Sequence, residues 1–226
     1  MIFATSSRGR AAMRNMTYPI WATTLLLYLL FLGWHENWRG PLTQDEIEKI
    51  SSHINASETL PPDQQQALAD FMRSDNGSEF FMVNFGTYYR GEIADPDSGK
   101  MMSPAEVLDK YFRPFMGKAL RRGSYPALSG NMLGGYIEAW GTSTNPGWTG
   151  IGIIRYRSRR DVLHLVMDGD FSDSHIFKKA ALSATLATPV GIRFGALLSP
   201  RLWVALLLLA LAALAQIMVL SRKGKK

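Results

Sequence analysis

The residues able to do chemistry in this chain form a short inventory. There is no cysteine, so thiol nucleophiles, disulfides, zinc–thiolate sites and iron–sulfur clusters are excluded. The four histidines, His35, His53, His164 and His175, form no HxH, HxxxH or HExxH pair, and no local histidine metal site is written. No Gly-x-Ser-x-Gly elbow is present, and the glycine-rich stretch Gly130 to Gly135 leads into an expected strand rather than a helix N-terminus, so it offers no phosphate cradle. Asp168, Asp170 and Asp173 lie close in sequence but lack the twelve-residue spacing of a calcium loop.

What remains is a set of polar and aromatic residues in otherwise apolar elements. Asn84 interrupts a strand that reads as core, and a buried amide must find partners, either a ligand or neighbouring backbone. Tyr111, Trp140 and Arg155 line the same cleft if helix and strands alternate as expected, and each also reads as ordinary packing. His175, with His164 on the other side of a helix break, is a candidate axial haem ligand or proton acceptor, against a plain surface or half-buried role. The ligand-cleft candidates are therefore Asn84, Tyr111, Trp140, Arg155 and His175, with no catalytic residue and no metal ligand assigned.

These residues need elements to position them. Thr43-Gln-Asp-Glu46 is a capping box that opens a helix, with Leu42 stapled to Ile47, and a second helix follows Pro61-Pro62. Together they form a helical arm over 35–78. Glu79 to Tyr89 is aromatic and β-branched and predicts a strand. Ser103-Pro104-Ala105-Glu106 then starts a helix whose apolar stripe runs through Val107, Tyr111, Phe115 and Ala119. Pro114 should kink or split it, and Gly123 should end it. Strands are expected at Met132 to Gly141 and Gly150 to Arg157, joined by a turn-rich Thr142 to Gly147. A helix capped by Ser158, a further helical piece from Ser172 to about Leu182 and a last strand from Thr185 to Val190 follow. The order strand, helix, strand, strand, helix, strand is the split βαβ, or ferredoxin-like, arrangement over 79–190. Its four-stranded antiparallel sheet leaves one apolar face to be covered by a partner or a second copy.

Two uncharged runs flank this domain. Leu202 to Leu220 contains one polar side chain, Gln216, and at about 1.5 Å per residue is close to the ~30 Å hydrocarbon thickness of a bilayer. Tyr18 to Trp34 is the second run. A cleaved signal peptide is the competing reading, but no small-x-small cleavage site follows it. Tyr18, Trp21, Trp34, Arg201, Trp203 and Arg222 sit where interfacial residues belong. The expected layout is a tail over 1–17, a span over 18–34, the arm and domain, a linker over 191–201, a span over 202–220 and a basic tail over 221–226. The tails carry Arg8, Arg10, Arg14, Arg222, Lys223, Lys225 and Lys226 against Arg39, Lys49, Arg193 and Arg201 on the domain side, which places both termini in the cytoplasm and the domain outside. Without those tails the formal charge of +6 falls to about −1, so the domain carries no basic face for nucleic acid. Neither run contains an ionisable residue, which argues against transport or proton relay. Ala205, Ala210, Ala212, Ala213 and Ala215 would allow close helix approach.

Phe81-Met82-Val83-Asn84, and Ile154-Arg155-Tyr156-Arg157-Ser158-Arg159 running into Val162, Met167, Asp170, Phe171 and Lys178-Lys179-Ala180-Ala181-Leu182, resemble the dimeric α+β barrel superfamily, nearest its uncharacterised small-domain branch. That resemblance covers about residues 79–190. It implies a ferredoxin-like fold, self-association through the sheet and a site between sheet and helices, as in the superfamily's monooxygenases and haem enzymes. The two spans and the arm depart from it. The resulting expectation is a non-catalytic accessory or scaffolding subunit of a larger inner-membrane complex, respiratory or photosynthetic in type, with lipid and other membrane subunits as partners and no cofactor. The alternatives are a membrane-tethered haem-binding or monooxygenase-like enzyme and a homodimer that senses a small ligand.

Overall fold

The computed structural model of the chain describes residues 7–57, 60–193 and 199–223, and only the backbone at 7–17, 55–57, 169–172 and 222–223. It divides into two units, one formed by Met1–His35 with Phe194–Lys226 and the other by Glu36–Arg193.

The first unit is a pair of helices, α1 (Ser7–His35) and α7 (Pro200–Lys223). The indole N–H of Trp21 donates to Gln216 Oε1 at 2.9 Å, and the Tyr28 hydroxyl donates to the Arg201 carbonyl at 3.3 Å. Sequence number rises along α1 as it falls along α7, so the two helices run antiparallel. The lone amide of the apolar run is thereby satisfied from inside the pair, as a low-dielectric setting requires. The less exposed stripe of α7 passes through Val204, Ala205, Leu208, Ala212, Ala215 and Val219, whereas Ala210 and Ala213, expected on the same face, point outward. His35 is fully buried, its ring 5.1 Å from that of Phe31. Where two spans were expected, one helix among the described residues, Pro200–Ser221, is long and apolar enough to cross a membrane. Tyr18, Pro19, Thr23, Thr24 and Tyr28 dilute the apolar character of α1.

The second unit is a mixed α+β module. Its elements are α2 (Gln44–Ser57), α3 (Pro62–Arg73), β1 (Phe80–Tyr88), a two-residue ribbon β2 (Ile93–Ala94) and β3 (Met101–Met102), α4 (Pro104–Arg121), β4 (Tyr125–Asn131), β5 (Gly150–Tyr156), α5 (Arg159–Val166), α6 (Gly169–Ala181) and β6 (Leu182–Val190). The four-stranded sheet has the order β4-β5-β1-β6 and every pairing is antiparallel.

Capping chemistry sets the helix starts. Ser103 and Glu106 complete a reciprocal capping box at α4, Thr43 and Glu46 do the same before α2, and Ser158 caps α5. Pro114 does not split α4, which runs as one helix to Arg121. The strand expected over Met132 to Gly141 is absent, and the partner of β5 is Tyr125–Asn131 instead. Register explains the difference: six residue pairs, from Tyr125↔Arg155 to Asn131↔Gly150, use up the ladder, and Gly134-Gly135 follow where a longer strand would have to continue. Tyr-Pro-Ala-Leu-Ser-Gly-Asn is a poor strand sequence, and Pro126 is tolerated because β4 is an edge.

One core serves the whole module. Val107, Tyr111, Phe115 and Ala119 of α4 meet Phe80, Tyr156, Val162, Leu163 and Phe177, and Leu42, Ile50, Ile54 and Met72 of the arm belong to the same cluster. Each Val, Leu, Ile, Met or Phe side chain among them removed from water contributes about 1.5–3 kcal/mol. The arm is clasped by arginines. Arg160 is bidentate to Glu46 at 2.7 and 2.9 Å and also donates to the Gly40 and Pro41 carbonyls. Arg159 donates to the Phe71 carbonyl and lies 4.7 Å over the Phe71 ring. The Arg160 guanidinium holds the Glu46 carboxyl well below its ordinary 4.5, at about 2. A depressed carboxyl stabilises the folded state above its unfolded pKa, and that contribution disappears as pH falls toward the folded one. The melting temperature of the purified chain is therefore expected to drop between about pH 4.5 and 2 as this residue takes up its proton. Glu46→Gln should melt lower at pH 7 and flatten that segment of the profile, and an unchanged profile would show the clasp to be idle.

Candidate functional site

Side-chain alternation along the central strand assigns each candidate to a face. Phe80, Met82, Asn84 and Gly86 stand opposite Tyr156, Ile154, Gly152 and Gly150 in the register. Phe80 and Tyr156 are core residues packed with the helices, so this set faces α4. Phe81, Val83 and Phe85, with Arg155, Ile153 and Ile151 opposite, face the other way.

On the helix side the sheet runs out of side chains. Gly86 pairs with Gly150 and Asn84 with Gly152, which leaves a cleft of ≈ 340 Å³ under α4. Its walls include Tyr111, Phe112 and Phe115 from α4, Tyr156 from β5, Ser129 and Asn131 from β4, and Lys178 from α6. A methyl group built on Gly152 would meet nothing within 4 Å, whereas one on Gly86 would touch the Leu182 side chain at 3.4 Å. The glycines are thus the physical reason that the space exists.

Two of the five expected cleft residues line it. Asn84 is half-buried and its amide donates to the Met82 and Gly152 carbonyls at 3.1 and 3.4 Å, so part of its hydrogen-bonding capacity is taken by the strand itself. Tyr111 is buried, stacks on Phe115 at 5.5 Å, and has its hydroxyl pushed far up by desolvation. Burial, with Tyr111 nearby, does the same to Tyr156, so both phenols remain protonated donors at any ordinary pH. His175 is half-buried with its ring 5.9 Å from that of Tyr111, beside the cleft rather than in its lining.

Two expectations are corrected. Trp140 is 80 % exposed on the loop between β4 and β5, because the strand that would have turned it inward does not form. Arg155 is on the opposite face, one residue out of phase with Gly152 and Ile154. There it is 1 % exposed, its guanidinium donating to Glu79 at 2.8 and 2.5 Å and to the Gly123 carbonyl at 2.7 Å, so its work is structural. His164 is half-buried on α5, and burial is the main cause that lowers its pKa. Among the described residues no group of three or more His, Asp or Glu is gathered as for a metal ion, and Asp168 is paired with Lys118 at 2.9 Å. The Asp170 side chain lies outside the described residues.

The residue that sequence reading missed is Lys178. It lines the cleft with its ammonium 5.8 Å over the Tyr111 ring, and desolvation lowers its pKa. The legible signal was its spacing: Ser174, Lys178 and Ala181 fall on one helical face, and Ala181 is fully buried.

The expected interfacial residues fall in the two-helix unit. Tyr18, Trp21 and Trp203 are exposed, Trp34 and Arg201 half-buried, and the Arg222 side chain lies outside the described residues. Because Gly152 sits in open space within a strand, Gly152→Ala should raise stability by about 0.5–1 kcal/mol in denaturant unfolding. A loss of that size would mean that the cleft is closed.

No family model and no curated protein matches the chain. The solved structure of a protein of unknown function from Rhodopseudomonas palustris is similar at 18 % identity and a TM-score of 0.47, over 58 % of this chain and 95 % of its own. The methylated form of that protein is similar at 20 % identity and a TM-score of 0.47, over 63 % and 96 %.

Proposed function

We propose that this chain is a membrane-anchored accessory subunit that crosses the bilayer twice, keeps both termini in the cytoplasm and presents a ferredoxin-like module outside, where its open sheet face docks on another subunit. The observation that carries this reading is the α7 surface: only 6 % of its membrane-length apolar window is buried within the chain. An apolar surface of that length needs lipid or partner helices. Its antiparallel pairing with α1 supports a hairpin with both ends on one side, and the bias of Lys and Arg toward the tails sets which side. The βαββαβ connectivity with strand order β4-β5-β1-β6 supports the ferredoxin-like reading of the module.

The module adds a second uncovered apolar surface. Phe81, Val83, Phe85, Ile151 and Ile153 are half-buried on the face away from α4, and Leu128, Leu186 and Val190 on the same face are 47, 48 and 40 % exposed. Both sheet edges carry a proline, Pro126 in β4 and Pro189 in β6, which blunts edge-to-edge pairing and leaves the face as the docking surface. The partner is another membrane subunit, with a second copy of the chain as the alternative that the superfamily resemblance suggests. Protease added to intact spheroplasts should cut the module and spare it in inverted vesicles. Gentle extraction should bring the chain out in fixed stoichiometry with other membrane proteins. Cleavage only in inverted vesicles would reverse the orientation, and recovery as a lone monomer with a Soret band would overturn the accessory role.

A further inference from the structure

Among the described residues, the glycine-floored cleft holds one cation with no partner of opposite charge. Its lining contains two charged side chains, Asp109 and Lys178. Asp109 is matched by Arg113 one helical turn further along α4. The neighbouring Lys110 is matched by Asp95 at 2.7 Å and lies over Phe177, away from this balance. Among the described residues no carboxylate meets Lys178, whose ammonium rests 5.8 Å from the centroid of the Tyr111 ring.

A cation in an aromatic pocket is poorly hydrated, and an entering anion gains a charge-assisted hydrogen bond that water no longer competes for. Most of the remaining cleft lining is apolar. Tyr111, Phe112 and Phe115 form the wall on α4, and the Gly86–Gly150 pair with Gly152 forms a floor smooth enough for a planar group to lie against it. Asn84, Ser129 and Asn131 supply polar atoms at the sheet side, and the protonated Tyr156 phenol adds a donor. A volume of ≈ 340 Å³ is at the small end of ligand sites, enough for one or two fused rings.

We propose that this cleft binds a small aromatic carboxylate, its ring between the α4 aromatics and the glycine floor and its carboxylate on Lys178. The site is independent of the docking role, since cleft and open face are on opposite sides of the sheet. A scaffolding subunit with such a site carries a ligand-responsive element in its own core.

The test uses the full chain in lipid nanodiscs and 2-naphthoate as the probe, with 2-naphthamide as the neutral isostere and binding followed by naphthyl fluorescence. Empty nanodiscs give the partition background. Naphthoate should bind the wild type more tightly than naphthamide. Lys178→Met keeps length and apolar bulk, and should weaken naphthoate about tenfold to a hundredfold while leaving naphthamide unchanged. Lys178→Arg should recover part of the loss. Gly152→Leu fills the floor and should weaken both probes, with Gly152→Val as the smaller plug if Leu lowers the melting temperature. The proposal is overturned by absence of naphthoate binding above the nanodisc background, by equal affinity in wild type and Lys178→Met, or by an unchanged affinity when the floor is filled in a folded variant.

Discussion

Strand β1 is hydrogen-bonded on both edges, to β5 and to β6, and this double commitment governs the module. A strand held on both sides cannot slip by one residue without turning its whole set of side chains to the wrong face. Phe80 and Met82 are thereby fixed under the helices, and Phe81, Val83 and Phe85 are fixed on the face away from them. The same alternation puts Gly86, Gly150 and Gly152 side by side, so the core ends in a cleft instead of continuing as packed side chains. Core, cleft and open face are three consequences of one register.

The arginines after β5 show how the remaining parts are tied to that register. Arg155, Arg157, Arg159 and Arg160 succeed one another within six positions, yet each has its own acceptor: Glu79, Asp161, the Phe71 carbonyl and Glu46. Buried charges are retained only when paired and hydrogen-bonded, and breaking one pair leaves an uncompensated ion. The run therefore works as a distributor, taking the strand exit, the α5 N-terminus and the two arm helices and fixing each to a different carboxylate or carbonyl. It explains why the arm helices α2 and α3 share the core of the sheet instead of standing apart from it.

The parts legible in the sequence were those that a few residues decide by themselves. Capping boxes at Thr43 and Ser103, the Ser158 cap, the apolar stripe of α4 and the aromatic strand β1 are local signals and fold as they read. The β4 strand was illegible because its residues have little strand propensity and are held by the β5 ladder, while the β5 edge that the more strand-like Met132 to Gly141 would join is already taken by β4. That misplacement carried Trp140 with it. Arg155 was misassigned for a different reason, a one-residue error in phase, which in a strand is a change of face. Lys178 went unread because a lysine in a helix ordinarily faces water, and only the tertiary fold turns this one toward the aromatics of α4.

The two-helix unit follows a different logic from the module. The amide of its apolar helix, Gln216, is answered by Trp21, and small residues at Ala205, Ala212 and Ala215 let the helices approach. What it leaves uncovered is apolar, as is the far face of the sheet. Both surfaces are left incomplete by the chain itself, and the absence of cysteine makes any cover over the sheet face directly measurable with a single introduced thiol. Leu186→Cys places that thiol on the open sheet face, where Leu186 is 48 % exposed in the isolated chain. A maleimide reagent should react with it slowly in native membranes and rapidly once the chain is purified away from other proteins, while Ser143→Cys on the exposed loop reacts rapidly in both. Equal, rapid labelling of Leu186→Cys in native membranes would show that nothing covers the face and would contradict the account.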